Sequence, residues 1–229
     1  MAAIINYIRA SLNDFLEYVR SPQEDITISY KPHSILRSLC CAAVVSVSVV
    51  LAVLIIAILL FACFPDYINS KLISDVSIYP WWIVIFLGPI VEELLCRLSL
   101  VRKKVFLVCS LILLCFNLVS RFAYTGQSYS IDHIWARIGI AIPAGAILFL
   151  VSNKWLTKCN YRIYFYGWAL IFGTAHLFRI DFGTLLPLDY ITIILFVAKQ
   201  SIMGLLWGYV RMKNGIVSSM LLHILNNAL

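Results

Sequence analysis

Long apolar runs separated by short polar or basic segments make up most of this chain. A helix rises 1.5 Å per residue, so about 20 apolar residues cross a hydrocarbon core of about 30 Å. Seven runs approach or exceed that length, and they cover residues 39–64, 80–101, 105–119, 134–151, 161–178, 191–210 and 216–229. The last run is short for a full crossing, so we expect it to stop part-way or to pack against its neighbours. The pattern predicts an all-α fold, a polytopic transmembrane helix bundle of about seven spans.

The first 21 residues follow a different pattern, because apolar residues recur at helical spacing opposite polar ones. The apolar positions are Ile5, Ile8, Leu12, Phe15, Leu16 and Val19. This spacing predicts an amphipathic helix on the membrane surface, and it is equally compatible with a helix packed on a partner protein. Ser21-Pro22 ends the helix and a polar linker follows. We therefore expect residues 1–38 to form a cytoplasmic helix and linker, and residues 39–229 to form the membrane domain.

Basic residues near the ends of the runs are divided unequally between the two sides of the membrane. Twelve lie on the side of the N-terminus, and only Lys71, Arg121 and Arg179 lie on the other. Because cytoplasmic loops carry an excess of Lys and Arg, the distribution predicts a cytoplasmic N-terminus and, after seven crossings, an external C-terminus. The short loops and modest length favour a bacterial plasma membrane.

The composition agrees with a membrane protein and excludes several other classes. Hydrophobic residues make up 62% of the 229 residues, against roughly 45–50% in soluble domains, and the mean hydropathy is +0.92. The net charge of +7 comes mostly from loop residues, without the basic and aromatic patch that a nucleic acid would need. The seven cysteines include no Cys-x-x-Cys pair, so they indicate small buried side chains and not a zinc or disulfide framework.

Two adjacent carboxylates and an arginine interrupt the second apolar run. Glu92, Glu93 and Arg97 lie in the segment 88–97, where each charge costs about 2.5–3.5 kcal/mol near the centre of a bilayer. Such residues usually serve a function. The alternative is a structural ion pair between Glu93 and Arg97, one helical turn apart. That pair accounts for one carboxylate and leaves Glu92 to be explained.

Two histidines and an asparagine add to this polar set from other predicted spans. His176 lies in the fifth run, and His223 and Asn227 lie one turn apart in the seventh. A lone histidine in a membrane helix is more often a packing residue than a ligand. A glutamate with two histidines can activate water, either directly or by holding a divalent metal such as zinc through Glu92, His176 and His223. His223 and Asn227 share a helix face and could both donate to one oxyanion.

These residues also carry a resemblance to a known family. The three short motifs, in the order found here, are Glu92-Glu93-x-x-x-Arg97, Phe172-x-x-x-His176 and His223-x-x-x-Asn227. They resemble those of the CPBP family, which groups CAAX prenyl endopeptidases of the Ras-converting type with bacterial bacteriocin-processing and self-immunity (Abi) membrane proteases. The similarity covers about residues 80–229. It implies an intramembrane endopeptidase that acts on a peptide or protein substrate, such as a prenylated tail or a leader peptide, in the lipid bilayer.

The resemblance implies a role for each residue. Glu92 would activate water together with His176, and His223 and Asn227 would stabilise the oxyanion. Glu93 with Arg97 would support the site, and Phe172 would pack beneath it. Both metal-dependent and glutamate-based hydrolysis are argued for the family, and a Glu/His/His set suits either. Straight helices would place Glu92, His176 and His223 at different depths, so tilts or kinks are expected to bring them together.

Two other functions fit the same residues. A non-proteolytic immunity or scaffold protein would keep the fold and bind a partner without cleaving it. A small proton- or ion-coupled transporter would also place Glu, His and Lys199 in the membrane. The sequence contains no evident internal repeat, which counts against a transporter.

Overall fold

A computed structural model of the chain describes residues 2–24, 32–63, 79–124, 129–179, 185 and 189–228. Within these ranges the chain forms helices and contains no strand. The helices are α1 Ala2–Arg20, α2 Pro32–Cys63, α3 Gly88–Cys96, α4 Lys104–Phe122, α5 Ile134–Lys158, α6 Tyr161–Ala175, α7 Asp189–Asn214 and α8 Ile216–Ala228. The predicted all-α fold is confirmed. Residues 25–31 of the predicted linker, and Lys71 of the charge distribution, lie outside the described residues.

Four of the described helices are long and apolar enough to cross a membrane. They are Pro32–Leu60 within α2, Lys104–Phe122, Ile134–Lys158 and Asp189–Asn214. The helix Ile216–Ala228 is apolar but shorter, as its short run predicted. The total of seven spans stays a prediction.

The second predicted span is not one continuous α-helix. A π-helical turn covers Ile83–Leu87, α3 follows, and a 3-10 turn covers Leu98–Leu100. At the junction, the backbone N–H of Gly88 donates to the carbonyl of Ile83, five residues earlier. Pro89 comes next and has no N–H to offer to the preceding turn. The wider turn therefore lies directly before the segment with the two glutamates.

The helices α6 and α7 approach each other closely where both carry small residues. A Cβ atom on Gly204 would lie 3.0 Å from the carbonyl oxygen of Ala169, and one on Gly208 would lie 2.7 Å from the Phe165 ring. A Cβ on Gly173 would lie 2.8 Å from the carbonyl oxygen of Val197. The Gly-x-x-x-Gly pair on α7 thus permits close packing, and Gly173 does the same from α6.

Helix α1 packs against the bundle with one face. Phe15 and Tyr18 are buried, and the Phe15 ring contacts the Tyr209 ring of α7 edge-on at 5.4 Å between centroids. Asp14 accepts hydrogen bonds from the Tyr209 hydroxyl at 2.7 Å and from Lys213 Nζ at 3.1 Å. Part of the apolar stripe of α1 stays exposed. The amphipathic pattern is therefore used at least partly for packing within this chain.

Candidate active site

Glu93 lies at the centre of a buried polar cluster formed by α3 and α8. Its side chain is fully buried, and Oε1 lies 3.0 Å from Nδ1 of His223. Oε2 accepts a hydrogen bond from the Ser219 hydroxyl. Since a carboxylate can only accept, Nδ1 of His223 carries the proton in this contact. Both oxygens of Glu93 are thus engaged by two residues of α8 that lie one turn apart.

Glu92 approaches the opposite side of the same imidazole. Its Oε2 lies 3.7 Å from Nε2 of His223, and its side chain is 21% exposed. The ring of His223 therefore lies between two carboxylates, of which Glu93 is fully buried and Glu92 is partly exposed. The indole of Trp207 stacks on the His223 ring at 5.4 Å and 17° between planes. The stacking fixes the plane of the His223 ring, and the two carboxylates fix the directions in which its nitrogens point.

Arg97 supports Glu93 at a longer distance. Its Nε lies 3.8 Å from Oε1 of Glu93, four residues earlier, and its side chain is 1% exposed. The guanidinium lies over the ring of Phe172 at 4.3 Å from the centroid. No hydrogen-bond partner of its nitrogens is found in the part of the chain that the structure describes. The predicted pair is present as a buried ion pair reinforced by a cation–π contact.

His176 lies at the end of α6, where the α-helix passes into a 3-10 turn. It is buried, and its Nδ1 lies 2.8 Å from the carbonyl oxygen of Phe172. Its ring contacts the Phe172 ring at 4.9 Å, and the same Phe172 ring contacts His223 at 5.9 Å between centroids. Phe172 therefore brings the two histidines to one region despite the different depths expected from straight helices.

Asn227 lies one turn beyond His223 and is exposed. Its Nδ2 donates to the carbonyl oxygen of Val84 at 3.1 Å. Val84 belongs to the π-helical turn, in which carbonyls lose the regular partner four residues ahead. The asparagine of α8 thus provides a hydrogen-bond partner for a carbonyl of this turn.

Ser219 and Trp207 were not singled out from the sequence, although both contact the cluster directly. Ser219 lies four residues before His223 and eight before Asn227, so the three share one face of α8. That spacing is the signal that could have found the serine. Trp207 gives no comparable signal, because an aromatic residue in an apolar helix is ordinary.

The described residues do not bring three potential metal ligands together. No group of three His, Cys, Asp or Glu side chains with metal-binding geometry occurs among them. Nδ1 of His223 faces Glu93, and Nδ1 of His176 faces a backbone carbonyl. These contacts leave Nε2 of each histidine as the atom that could hold a metal, but the described residues show no assembled group of ligands, and the set Glu92, His176 and His223 stays a prediction.

The fold and the cluster together define an integral membrane protein with one buried glutamate, one partly exposed glutamate and two buried histidines among its helices. The family model described as type II CAAX prenyl endopeptidase Rce1-like matches residues 74–229. Since the match covers more than half of the chain, the chain belongs to this family, as the resemblance of its motifs indicated. At the level of the family it is a CAAX-type intramembrane protease. No curated protein and no solved structure matches the chain.

Proposed function

We propose that this chain is a membrane endopeptidase in which Glu92 activates the water that attacks a peptide bond. The observation that carries the proposal is the difference between the two glutamates. Glu93 is fully buried, with both oxygens engaged by His223 and Ser219. Glu92 keeps 21% of its side chain exposed and faces the same histidine. Of the two glutamates, Glu92 is the one whose side chain is partly exposed, so a water molecule can approach it, and an ionised carboxylate within hydrogen-bond reach of a water can take its proton.

His176 has the correct tautomer to share a proton with Glu92. A backbone carbonyl can only accept, so the contact with Phe172 places the proton on Nδ1. In the neutral ring Nε2 then carries the lone pair. The water proton passes to Glu92 or His176 as the water oxygen bonds to the carbonyl carbon. The same proton is delivered to the amine nitrogen when the peptide bond breaks.

His223 and Asn227 are proposed to stabilise the oxyanion. Nδ1 of His223 donates to Glu93, so donation from Nε2 as well requires the doubly protonated ring, whose charge lies between two carboxylates. The second N–H of the Asn227 amide provides a further donor. Preorganised donors of this kind contribute about 10²–10³-fold to acyl transfer.

The substrate is proposed to be a peptide segment at the membrane, a prenylated tail or a leader peptide. The name of the matched family favours the prenylated tail. No metal is assigned a role, because the described donors do not converge on one. A bacterial plasma membrane with a cytoplasmic N-terminus remains our proposal for the location.

The experiment compares purified wild-type protein with Glu92→Gln and His176→Ala on quenched prenylated and unprenylated peptides. Loss of a general base lowers the rate by about 10²–10⁴-fold. Glu17→Gln is the matched control, since Glu17 is an exposed glutamate on α1, and it should cleave as wild type does. Full activity of Glu92→Gln would refute the proposed base. A wild-type protein that binds these peptides without cleaving them would instead favour the non-proteolytic scaffold.

A further inference from the structure

We propose that Ser219 is a positioning residue that orients His223 through Glu93. The inference deepens the proposed function and rests on it, because it assigns His223 a role in the same site. Ser219 lies outside the three motifs, and it touches neither Glu92 nor Asn227 in any described contact. It acts on the imidazole through a carboxylate.

Ser219 and His223 hold the two oxygens of one carboxylate from consecutive turns of α8. The Ser219 hydroxyl donates to Oε2 of Glu93, and Nδ1 of His223 donates to Oε1 at 3.0 Å. The hydroxyl oxygen also lies 3.1 Å from the carbonyl oxygen of Trp207. Glu93 and Ser219 are 0% exposed, and His223 is 4% exposed. The carboxylate of Glu93 and the hydroxyl of Ser219 are therefore shielded from bulk solvent, which cannot replace a lost partner.

The two bonds together fix the rotation of the carboxylate about its last torsion. That torsion is broad and almost two-fold in a free glutamate. A carboxylate held at one oxygen can turn about that bond, whereas one held at both oxygens cannot. The fixed position of Oε1 determines where Nδ1 of His223 lies, and hence that Nε2 faces Glu92.

Trp207 links this arrangement to α7. Its ring stacks on His223, and its backbone carbonyl lies beside the Ser219 hydroxyl. Ser219 therefore lies where α3, α7 and α8 meet, in contact with one residue from each of the other two helices. Replacing this serine therefore affects the imidazole in two ways. It frees the Glu93 carboxylate, and it removes a contact with Trp207, whose ring stacks on His223.

The test compares Ser219→Ala with Ser218→Ala in the full chain. Ser218 is the adjacent serine, and its hydroxyl bonds only to the carbonyl of Asn214 among the described contacts. In metal sites, loss of the partner that orients a ligating histidine lowers affinity or activity by about 10–100-fold, and we expect a loss of the same order for a histidine oriented through Glu93. We expect that fall in kcat for Ser219→Ala with KM unchanged, wild-type kinetics for Ser218→Ala, and partial recovery in Ser219→Thr, which keeps the hydroxyl. Ser219→Ala that matches Ser218→Ala would overturn the proposal.

A second readout does not depend on proteolysis. In protein labelled with ¹⁵N-histidine, the ring-nitrogen shifts of His223, identified by their loss in His223→Gln, report which nitrogen carries the proton. We expect Ser219→Ala to shift the Nδ1 and Nε2 resonances, because Glu93 no longer holds the His223 ring in one orientation, and Ser218→Ala to leave both as in wild type. Unchanged resonances in Ser219→Ala would overturn its positioning role even if the variant is inactive. Shifted resonances in Ser219→Ala, together with no peptide cleavage by the wild-type protein, would support the positioning role and refute the proposed activity.

Discussion

Replacing Gly173 with alanine tests the close approach of α6 and α7 beside the site. A Cβ at this position would overlap the Ser201 hydroxyl and would lie 2.8 Å from the carbonyl oxygen of Val197 and 3.1 Å from the backbone nitrogen of Ser201. The hydroxyl can rotate away, but the backbone atoms cannot. The two helices must therefore separate at the level of Phe172, which carries the contacts to both histidines.

The expected magnitude follows from a comparison with Gly167 on the same helix. A Cβ on Gly167 would meet nothing within 4 Å, so Gly167→Ala gains only the helix preference of alanine, about 0.5–1 kcal/mol. Gly173→Ala gains the same amount and pays for overpacking, about 1–3 kcal/mol. The helix preference of alanine is the same in both variants, so the difference between their stabilities reports the overpacking alone. Since about 1 kcal/mol corresponds to about 2–4 °C in a chain of this size, Gly173→Ala should unfold about 2–12 °C below Gly167→Ala.

The assay is thermal unfolding of both purified variants in one detergent, followed by peptide cleavage. Adding Ser201→Ala to Gly173→Ala removes the hydroxyl but leaves the contact with the Val197 carbonyl. The double variant should therefore recover part of the lost stability and not all of it. Equal unfolding temperatures for Gly173→Ala and Gly167→Ala would refute the packing described for α6 and α7, and with it the placement of His176 against the site.

Three further predictions concern the surroundings of the site. Chelator should leave peptide cleavage unchanged, because the described donors do not converge on a metal; loss of cleavage restored by zinc would contradict this. Asn227→Asp should abolish cleavage while Asn226→Asp does not, since a carboxylate cannot donate to the Val84 carbonyl; equal rates would contradict it. Asp14→Ala should destabilise the fold by about 1–2 kcal/mol in denaturation by loss of its bonds to Tyr209 and Lys213, and wild-type stability would contradict it.

The apolar pattern located the helices but not their ends. The predicted run 134–151 corresponds to α5, which extends to Lys158, and the run that starts at residue 39 belongs to α2, which begins at Pro32. Hydropathy marks the part of a helix suited to lipid, whereas backbone hydrogen bonds continue into polar residues. The π-helical turn before α3 left no trace in hydropathy, because its residues are as apolar as those of a regular helix.

The site was predicted as a set of residues, whereas their contacts depend on packing. Glu92 and Glu93 are neighbours, so they point about 100° apart on a helix, and nothing in the sequence tells which one faces α8. We expected Glu93 to pair with Arg97, and that pair is present. The shorter contacts of Glu93 with His223 and Ser219 come from the meeting of α3 and α8, which no local pattern encodes.

Helix α1 packs against the part of the chain that matches the family, although it lies outside the match. The family match begins at residue 74, so α1 and α2 lie outside it. Yet Tyr209, two residues from the indole that stacks on His223, is held by Phe15 and Asp14 of α1. Helix α1 thus supports α7 behind the site, and the matched region taken alone would expose the aromatic surface around Tyr209 that α1 covers in this chain.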